Sequence, residues 1–309
     1  MQNNQNKPKI ICIGGPTGVG KTALAIKLAN LFDGEIVSCD SIAVYKHLNI
    51  GSAKPNSQEL QMAKHYLIDV KNPNEEYDMA QYKKQAQETI YDILSRNKLP
   101  IVVGGTGLYM KGLLFPMQLG NSEKSTEIRE KYTEYLNNCG AEKLLEKLRS
   151  IDPESANKLH PKDTLRIIRA LEIFELTGTK KSDIKTEYVS EFDYHLIFLN
   201  DDRQKLYDRI DKRVDKMFEL GLEEEVRNLI DKFNLTPKSQ SMQGIGYKEF
   251  FDYFDNKITY NQLLDKIKQN SRHYAKRQIT WFKAMPNCKE YNYQEIDKIV
   301  EDVKNFLIN

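Results

Sequence analysis

The octet Gly15-Pro16-Thr17-Gly18-Val19-Gly20-Lys21-Thr22 constrains the fold of this chain more than any other segment. It follows a short apolar run, Lys9 to Ile13, and precedes a stretch from Thr22 to Phe32 in which Leu24, Leu28 and Leu31 recur at helical spacing. Strand, glycine loop and helix in that order make a phosphate cradle, the P-loop. Glycines let successive backbone N–H groups converge, the helix N-terminus contributes its positive end, Lys21 neutralises phosphate charge, and the Thr22 hydroxyl can hold Mg²⁺. An ordinary glycine turn has no reason to end in Lys-Thr between those two elements.

The rest of the chain reads as an α/β fold built around that loop. Glu35 to Ser38 predicts a second strand delivering Asp40, and Leu99 to Val103 a third delivering Gly104-Gly105-Thr106, with a helix from Met79 to Arg96 between them. Alternating strands and helices imply a P-loop NTPase-like parallel sheet flanked by helices, whose ligands sit beyond the carboxyl ends of the strands. All three polar turns should therefore line one crevice. From Met117 to Val189 no strand pattern occurs, and Glu127 to Leu136, Glu142 to Ser150 and Thr164 to Thr177 look helical, with Asp163 as a cap and Gly178 as a stop. The expected organisation is a core of residues 1–116 and 190–309 with an inserted helical domain at 117–189. Tyr194 to Leu199 restores a strand, a helix carrying Leu206, Ile210, Val214 and Met217 follows, and Ile296, Ile299, Val300, Val303 and Phe306 predict an amphipathic tail helix packed on the core.

At 309 residues, 40% hydrophobic and 29% charged, the chain is long and apolar enough for two folded units, which excludes a disordered protein. With 46 Lys plus Arg against 44 Asp plus Glu, the net charge of +2 implies no partner by itself. Met1 to Lys7 is polar with no apolar segment behind it, and no run is long enough to cross a bilayer, so a cytoplasmic location away from membranes is expected. Cys12, Cys39, Cys139 and Cys288 lack paired spacing and read as reduced, mostly buried thiols.

A P-loop does not say whether phosphate is transferred or leaves. Asp40-Ser41 and Gly105-Thr106 bring a carboxylate and a hydroxyl near it, which suits taking a proton from a nucleophile; a strand-end aspartate also serves as a Mg²⁺ ligand. Asp69, after Tyr66-Leu67-Ile68, is a metal ligand or a loop cap. Between Lys266 and Met285 the chain carries Lys266, Lys268, Arg272, His273, Lys276, Arg277 and Lys283 without one acidic residue. On a helix Arg272, Lys276 and Lys283 share one face and Tyr274, Gln278 and Trp281 another, so the strip suits RNA phosphates and an exposed loop base, or is a solvated basic helix. Arg166 and Arg169 read either as RNA contacts or as intrahelical partners of Glu172.

These segments together resemble the bacterial tRNA dimethylallyltransferases of the isopentenyltransferase group, nearly end to end. The resemblance runs through GGPTGVGKT, EIVSCDSIAVYKHLNIGSAKP, HYLIDV, VVGGTGLYMKGLL, DPESANKLHPKDTLRIIRALEIFELTG, RVDKMFELGLEEEV, QGIGYKE and AKRQITWFK. It implies transfer of a dimethylallyl group from dimethylallyl diphosphate to N6 of the adenosine at position 37 of tRNA, with Mg²⁺ and release of diphosphate. It implies Asp40 as general base, Thr106 as the group orienting the reactants, Gly15 to Thr22 as the diphosphate site with Thr22 at the metal, and Arg213 as neutraliser of the leaving group, where a helix-surface arginine is the alternative. Implied contacts with the tRNA anticodon stem-loop are Asp40, Ser41, Ile42, Ala43, Thr106, Arg129, Leu165, Arg166, Arg169, Gln243, Gly246, Tyr247, Lys248, Arg272, Lys276, Arg277, Gln278, Thr280, Trp281 and Lys283. A monomer is expected. The pattern carries glutamine where this chain has Ala43 and again where it has Leu165, which bears on selectivity among tRNAs. Two other activities fit a P-loop here: prenylation of free adenine nucleotides, which needs no basic strip, and an RNA-binding ATPase or kinase.

Overall fold

The computed structural model describes residues 7–116, 125–184 and 187–309. The polar start up to residue 6 and the first part of the expected insertion, 117–124, lie outside them. The chain forms two compact units, Met1–Leu114 with Ser190–Asn309, and Phe115–Val189.

The first unit runs β1 (Lys9–Gly14), α1 (Lys21–Leu31), β2 (Gly34–Ser38), α2 (Ser57–Met62), β3 (His65–Tyr66), α3 (Met79–Ser95), β4 (Leu99–Gly104) and α4 (Gly107–Leu114). The second unit supplies α5 (Thr126–Cys139), α6 (Ala141–Ile151), α7 (Pro153–Asn157) and α8 (Thr164–Thr177). The first then resumes with β5 (Asp193–Asn200), α9 (Arg203–Glu219), α10 (Leu222–Phe233), α11 (Glu249–Phe254), α12 (Tyr260–Lys283), β6 (Cys288–Asn292) and α13 (Ile296–Ile308).

The six strands form one sheet in the order β3-β2-β4-β1-β5-β6, every neighbouring pair parallel. Parallel neighbours need crossover connections, so helices cover the faces and the inner strands must be apolar on both sides. Ile10, Ile11, Cys12 and Ile13 of β1 are accordingly all fully buried. Leu24 and Leu28 of α1, Leu206 and Ile210 of α9, and Ile299 and Val303 of α13 join Ile11, Ile13, Ile101 and Ile197 in one core. Each such side chain contributes on the order of 2 kcal/mol by leaving water. The tail helix thus packs as its spacing implied. Leu31 does not: it is 54% exposed, because the buried residues of α1 are Leu24, Ala25, Ile26, Leu28 and Ala29 and the final residue of the helix lies beyond them.

Register matters more for function than core content. Gly14 pairs with Gly104 and Ser38 with Val103, so β1, β4 and β2 end level with one another and their following turns leave the same edge of the sheet.

The second unit contains helices and turns but no strand among its described residues, packed around Tyr132, Leu144, Leu148, Ile167 and Leu171. Gly178 closes α8 with φ 69°, as its position implied. Asp163 differs from expectation: its side chain makes no cap hydrogen bond and instead accepts from Arg166 Nη1 at 2.9 Å, a charged partner outcompeting the backbone N–H. Cys139, at the end of α5, is exposed, whereas Cys12 and Cys39 are buried and Cys288 is half-buried, which corrects the expectation of mostly buried thiols.

Candidate active site

Gly15 to Thr22 connects β1 to α1 as a phosphate cradle should. Gly18 and Gly20 adopt φ of 77° and 100°, values that a residue with a Cβ rarely takes, and Gly20 precedes α1 without any side-chain cap. The first N–H groups of α1 therefore carry no side-chain acceptor at Gly20 and are suited to an anion. The Lys21 ammonium folds back across the loop and donates to the carbonyls of Gly15 at 3.0 Å and Pro16 at 2.8 Å. Burial drives its pKa down to about 8, against the opposing pull of the Asp40 carboxylate and with a further push from Arg213. A desolvated cation next to free donors is stabilised by an incoming phosphate.

Asp40 follows β2. Its Oδ1 accepts from the backbone N–H of Ile42 at 2.9 Å and Ala43 at 3.2 Å, so the turn itself aims the carboxylate. Thr106, after β4, is held to the same turn: the Ser41 N–H donates to its Oγ1 at 3.0 Å, its own N–H donates to the Cys39 carbonyl at 3.2 Å, and its hydroxyl donates to Ser41 Oγ at 3.3 Å. Tyr274 of α12 lies beside Thr106, and burial raises the pKa of its phenol. Beneath lies Cys39, fully buried, its thiol pushed up to about 12 mainly by desolvation, so it remains protonated and structural.

The α9 helix closes the cradle with two arginines one turn apart. Arg213 donates to the Ala53 carbonyl at 3.5 Å, and its pKa is lowered by burial while Asp40 and Glu59 pull the other way. It faces the site rather than solvent, which decides against a surface role. Arg209 donates from Nε to the Gly18 carbonyl at 3.0 Å, pairs with Asp201 at 2.6 Å and lies 5.5 Å from the Tyr293 ring centroid. Sequence reasoning missed this brace; the only signal was its i, i+4 spacing from Arg213. Asp69 accepts no backbone cap bond among the described residues; its Oδ1 pairs at 2.6 Å with Lys54, whose side chain is 5% exposed.

Several residues read from the sequence as RNA contacts are occupied within the protein. Tyr247 is fully buried; its hydroxyl donates to Glu225 Oε1 at 2.8 Å and accepts the Ser52 N–H at 3.0 Å. Gly246 is buried, with its N–H on Glu249, while Gln243 and Lys248 of the same loop are exposed. Gln278 is 5% exposed and points inward with Tyr274, so the expected face of Tyr274, Gln278 and Trp281 is split, with Trp281 alone at the surface. Arg272 grips Asp211 through two bonds of 2.6 and 2.7 Å, Lys268 pairs with Asp215, Lys266 with Asp252 and Lys283 with Glu290. The basic strip is thus largely neutralised by carboxylates from α9, α11 and β6. Lys276, Arg277 and Thr280 remain exposed, and no ion pair involves Lys276 or Arg277 among the described residues.

In the second unit Arg129 and Arg169 both bind the buried Glu172, at 2.8 and 2.6 Å; burial alone would raise its pKa, but the two guanidinium groups bring it below the ordinary value. Arg166 pairs with Asp163 instead of Glu172 and is otherwise exposed, beside Leu165 at 81% exposure. Ala43, at the other position where the pattern has glutamine, is buried, and its carbonyl accepts the Asp69 N–H. Ser41 and Ile42 are half-buried at the mouth of the Asp40 turn.

Known proteins are similar to this chain in sequence and in fold. The family model described as "IPP transferase" matches residues 43–285. A protein of Thermoanaerobacter sp. (strain X514) named tRNA dimethylallyltransferase is 46% identical over 303 residues, covering 94% of this chain and 95% of its own length. The crystal structure of a full-length tRNA isopentenylpyrophosphate transferase from Bacillus halodurans superposes with a TM-score of 0.74 at 38% identity, covering 97% of each chain. A eukaryotic dimethylallyltransferase, seen in crystallographic snapshots acting on tRNA, superposes with a TM-score of 0.80 at 30% identity over 97% of this chain and 78% of that one. Matched in sequence over most of its length and in fold over nearly all of it, the chain belongs to the IPP transferase family.

Proposed function

We propose that the chain transfers the dimethylallyl group of dimethylallyl diphosphate to N6 of the adenosine at position 37 in the tRNA anticodon loop, releasing diphosphate. The observation that carries this reading is the electrostatic grouping at the cradle: Lys21, Arg213 and the Asp40 carboxylate act on one another, with Thr106 tied to the Asp40 turn. A phosphoryl-transfer enzyme needs its electrophile at phosphorus; here a carboxylate base interacts with the cations of a phosphate cradle, as transfer of an allylic carbon from a diphosphate requires. The C1–O bond breaks and its electron pair leaves with diphosphate, the N6 lone pair forms the new bond to C1, and the N6 proton passes to Asp40. Because Oδ1 is held by two backbone N–H groups, the proton goes to Oδ2. Thr106 orients the amine, and the cradle N–H groups, Lys21 and Arg213 take up the charge that develops on the leaving group.

Thr22 would hold Mg²⁺ together with diphosphate oxygens and water. A hard hydroxyl donor beside substrate phosphates suits that ion, which seldom uses an all-protein cage, and no group of three His, Cys, Asp or Glu side chains forms one among the described residues. Bound there, Mg²⁺ supplies charge neutralisation for the diphosphate. The adenine must leave its stack to bring N6 to Asp40. Lys276, Arg277, Trp281, Gln243 and Lys248, and in the second unit Arg166 and Leu165, are exposed and supply backbone and stacking contacts. One chain contains the whole constellation, which supports a monomer, acting where tRNA is processed, in the cytoplasm. No helix among the described residues is long and apolar enough to cross a membrane.

Incubation with dimethylallyl diphosphate labelled in the prenyl group, and separately with unmodified tRNA, AMP or ATP, tests the proposal. Label is expected on tRNA. Label on AMP alone would reject the RNA substrate, and hydrolysis of ATP without prenyl transfer would reject the chemistry.

A further inference from the structure

The α12 helix presents two sides with different surroundings. Outward are Lys276, Arg277, Thr280 and Trp281. Inward, one turn apart, are Tyr274 and Gln278, and both end on the reaction machinery rather than on ordinary core. Gln278 Oε1 accepts the N–H of Thr17, inside the cradle, at 2.9 Å, and its Nε2 donates to the Gly105 carbonyl at 2.9 Å. A Cβ at Gly105 would collide with that same Nε2, so this turn needs glycine to admit the amide. Tyr274 lies beside the next residue, Thr106. A single turn of α12 therefore grips the P-loop and the β4 turn at once.

We propose that Gln278 is a positioning residue for prenyl transfer: its amide cross-links the diphosphate cradle to the Thr106 turn, so that the RNA-facing helix also sets the placement of leaving group against acceptor. The inference rests on the transferase reading above. The chemistry needed is narrow. One side chain must accept from Thr17 and donate to Gly105 at the same time, and a primary amide does so without charge. Methionine matches its length and offers neither bond. A glutamate matches its shape, accepts from Thr17, and donates to Gly105 only when protonated; ionised, it sets a negative charge against a carbonyl and beside the anion site.

The test uses the full chain with Gln278→Met and Gln278→Glu, reading affinity for inorganic pyrophosphate by calorimetry and steady-state kinetics for both substrates. Gln278→Met is expected to weaken pyrophosphate binding and raise KM for dimethylallyl diphosphate about 10- to 100-fold, the range for leaving buried polar partners unmade. KM for tRNA stays at the wild-type value, because the outward side chains are untouched. Gln278→Glu is expected to bind pyrophosphate poorly near pH 8 and to approach the wild-type affinity near pH 6, as burial lets its carboxyl take up the missing proton. That recovery is read within one protein and does not depend on how well the methionine variant folds. Unchanged pyrophosphate affinity in Gln278→Met, a tRNA KM that moves in step with the other, or a constant ratio of Gln278→Glu to wild type across pH would overturn the inference. Failure of the wild type itself to transfer the prenyl group would instead overturn the reading beneath it.

Discussion

Replacing Asp40 by asparagine separates its two roles. The carboxylate both shapes a turn, through Oδ1 to the N–H groups of Ile42 and Ala43 at 2.9 and 3.2 Å, and serves as the proposed base. Asparagine keeps an acceptor oxygen in the same place, so the turn, Thr106 and the cradle should hold, but its amide cannot take the N6 proton. General base catalysis is worth about 10²- to 10⁴-fold, and kcat should fall by that much. KM for dimethylallyl diphosphate should change little, since two effects oppose each other. Removing a negative charge favours the anion, while loss of the pull that Asp40 exerts on Lys21 takes that ammonium's pKa below its present value of about 8 and weakens its hold. Single-turnover transfer of labelled prenyl group at saturating tRNA measures the step directly. Asp40→Ala provides the contrast: it also strands two N–H groups, at about 1–3 kcal/mol for each that stays buried, and should lower Tm as well as rate. An asparagine variant that keeps kcat within about threefold of wild type would show Asp40 to be a turn-former only.

Two further outcomes follow from the charges. With Lys21 titrating at about 8 against an ordinary 10.5, its side chain in the free cradle is cationic below that pH and neutral above it, so pyrophosphate affinity should be level below pH 8 and fall as pH rises through it. In the ligand-free protein the sign is opposite for folding: a lowered lysine pKa disfavours the folded state below pH 8, and the penalty fades as pH approaches 10.5. Calorimetry showing a flat pH profile, or Lys21→Met retaining the slope, would contradict this. For RNA, Lys276→Ala and Arg277→Ala should each reduce the salt dependence of tRNA binding by about 0.7–0.9 in slope. Arg272→Ala, whose guanidinium is already spent on Asp211, should leave the slope nearly unchanged and lower Tm; the reverse pattern in a salt titration would reverse the assignment.

Where the sequence spoke clearly, one local signal was enough. The P-loop between β1 and α1, Asp40 after β2 and Thr106 after β4 all rest on apolar runs that end in polar turns, and burial on both faces makes such runs unmistakable. Strand β6 was invisible for the same reason: Cys288–Asn292 is an edge strand, exposed at Lys289, Glu290 and Asn292, so no apolar run marks it. The misreadings on α12 have a different origin. Periodicity tells which residues share a face, but not which face meets the core when the inward face carries Tyr274 and Gln278 and the acids that neutralise the basic strip, Asp211, Asp215, Asp252 and Glu290, lie on other elements. Arg209 escaped because its partners, the Gly18 carbonyl and Asp201, exist only once α9 lies against the cradle.

The order of the strands has a consequence for how this enzyme can vary. The cradle hangs from β1 and the base from β2, with β4 between them. Neighbouring strands lie about 4.8 Å apart, so the strand ends from which the cradle and the base project are separated by two rungs of a backbone ladder, roughly 10 Å, a dimension that no side-chain replacement can stretch. Mutational drift can therefore retune which prenyl chain or which nucleoside is accepted, by reshaping the walls of the gap, while its width stays inherited from the amide pairing of the sheet.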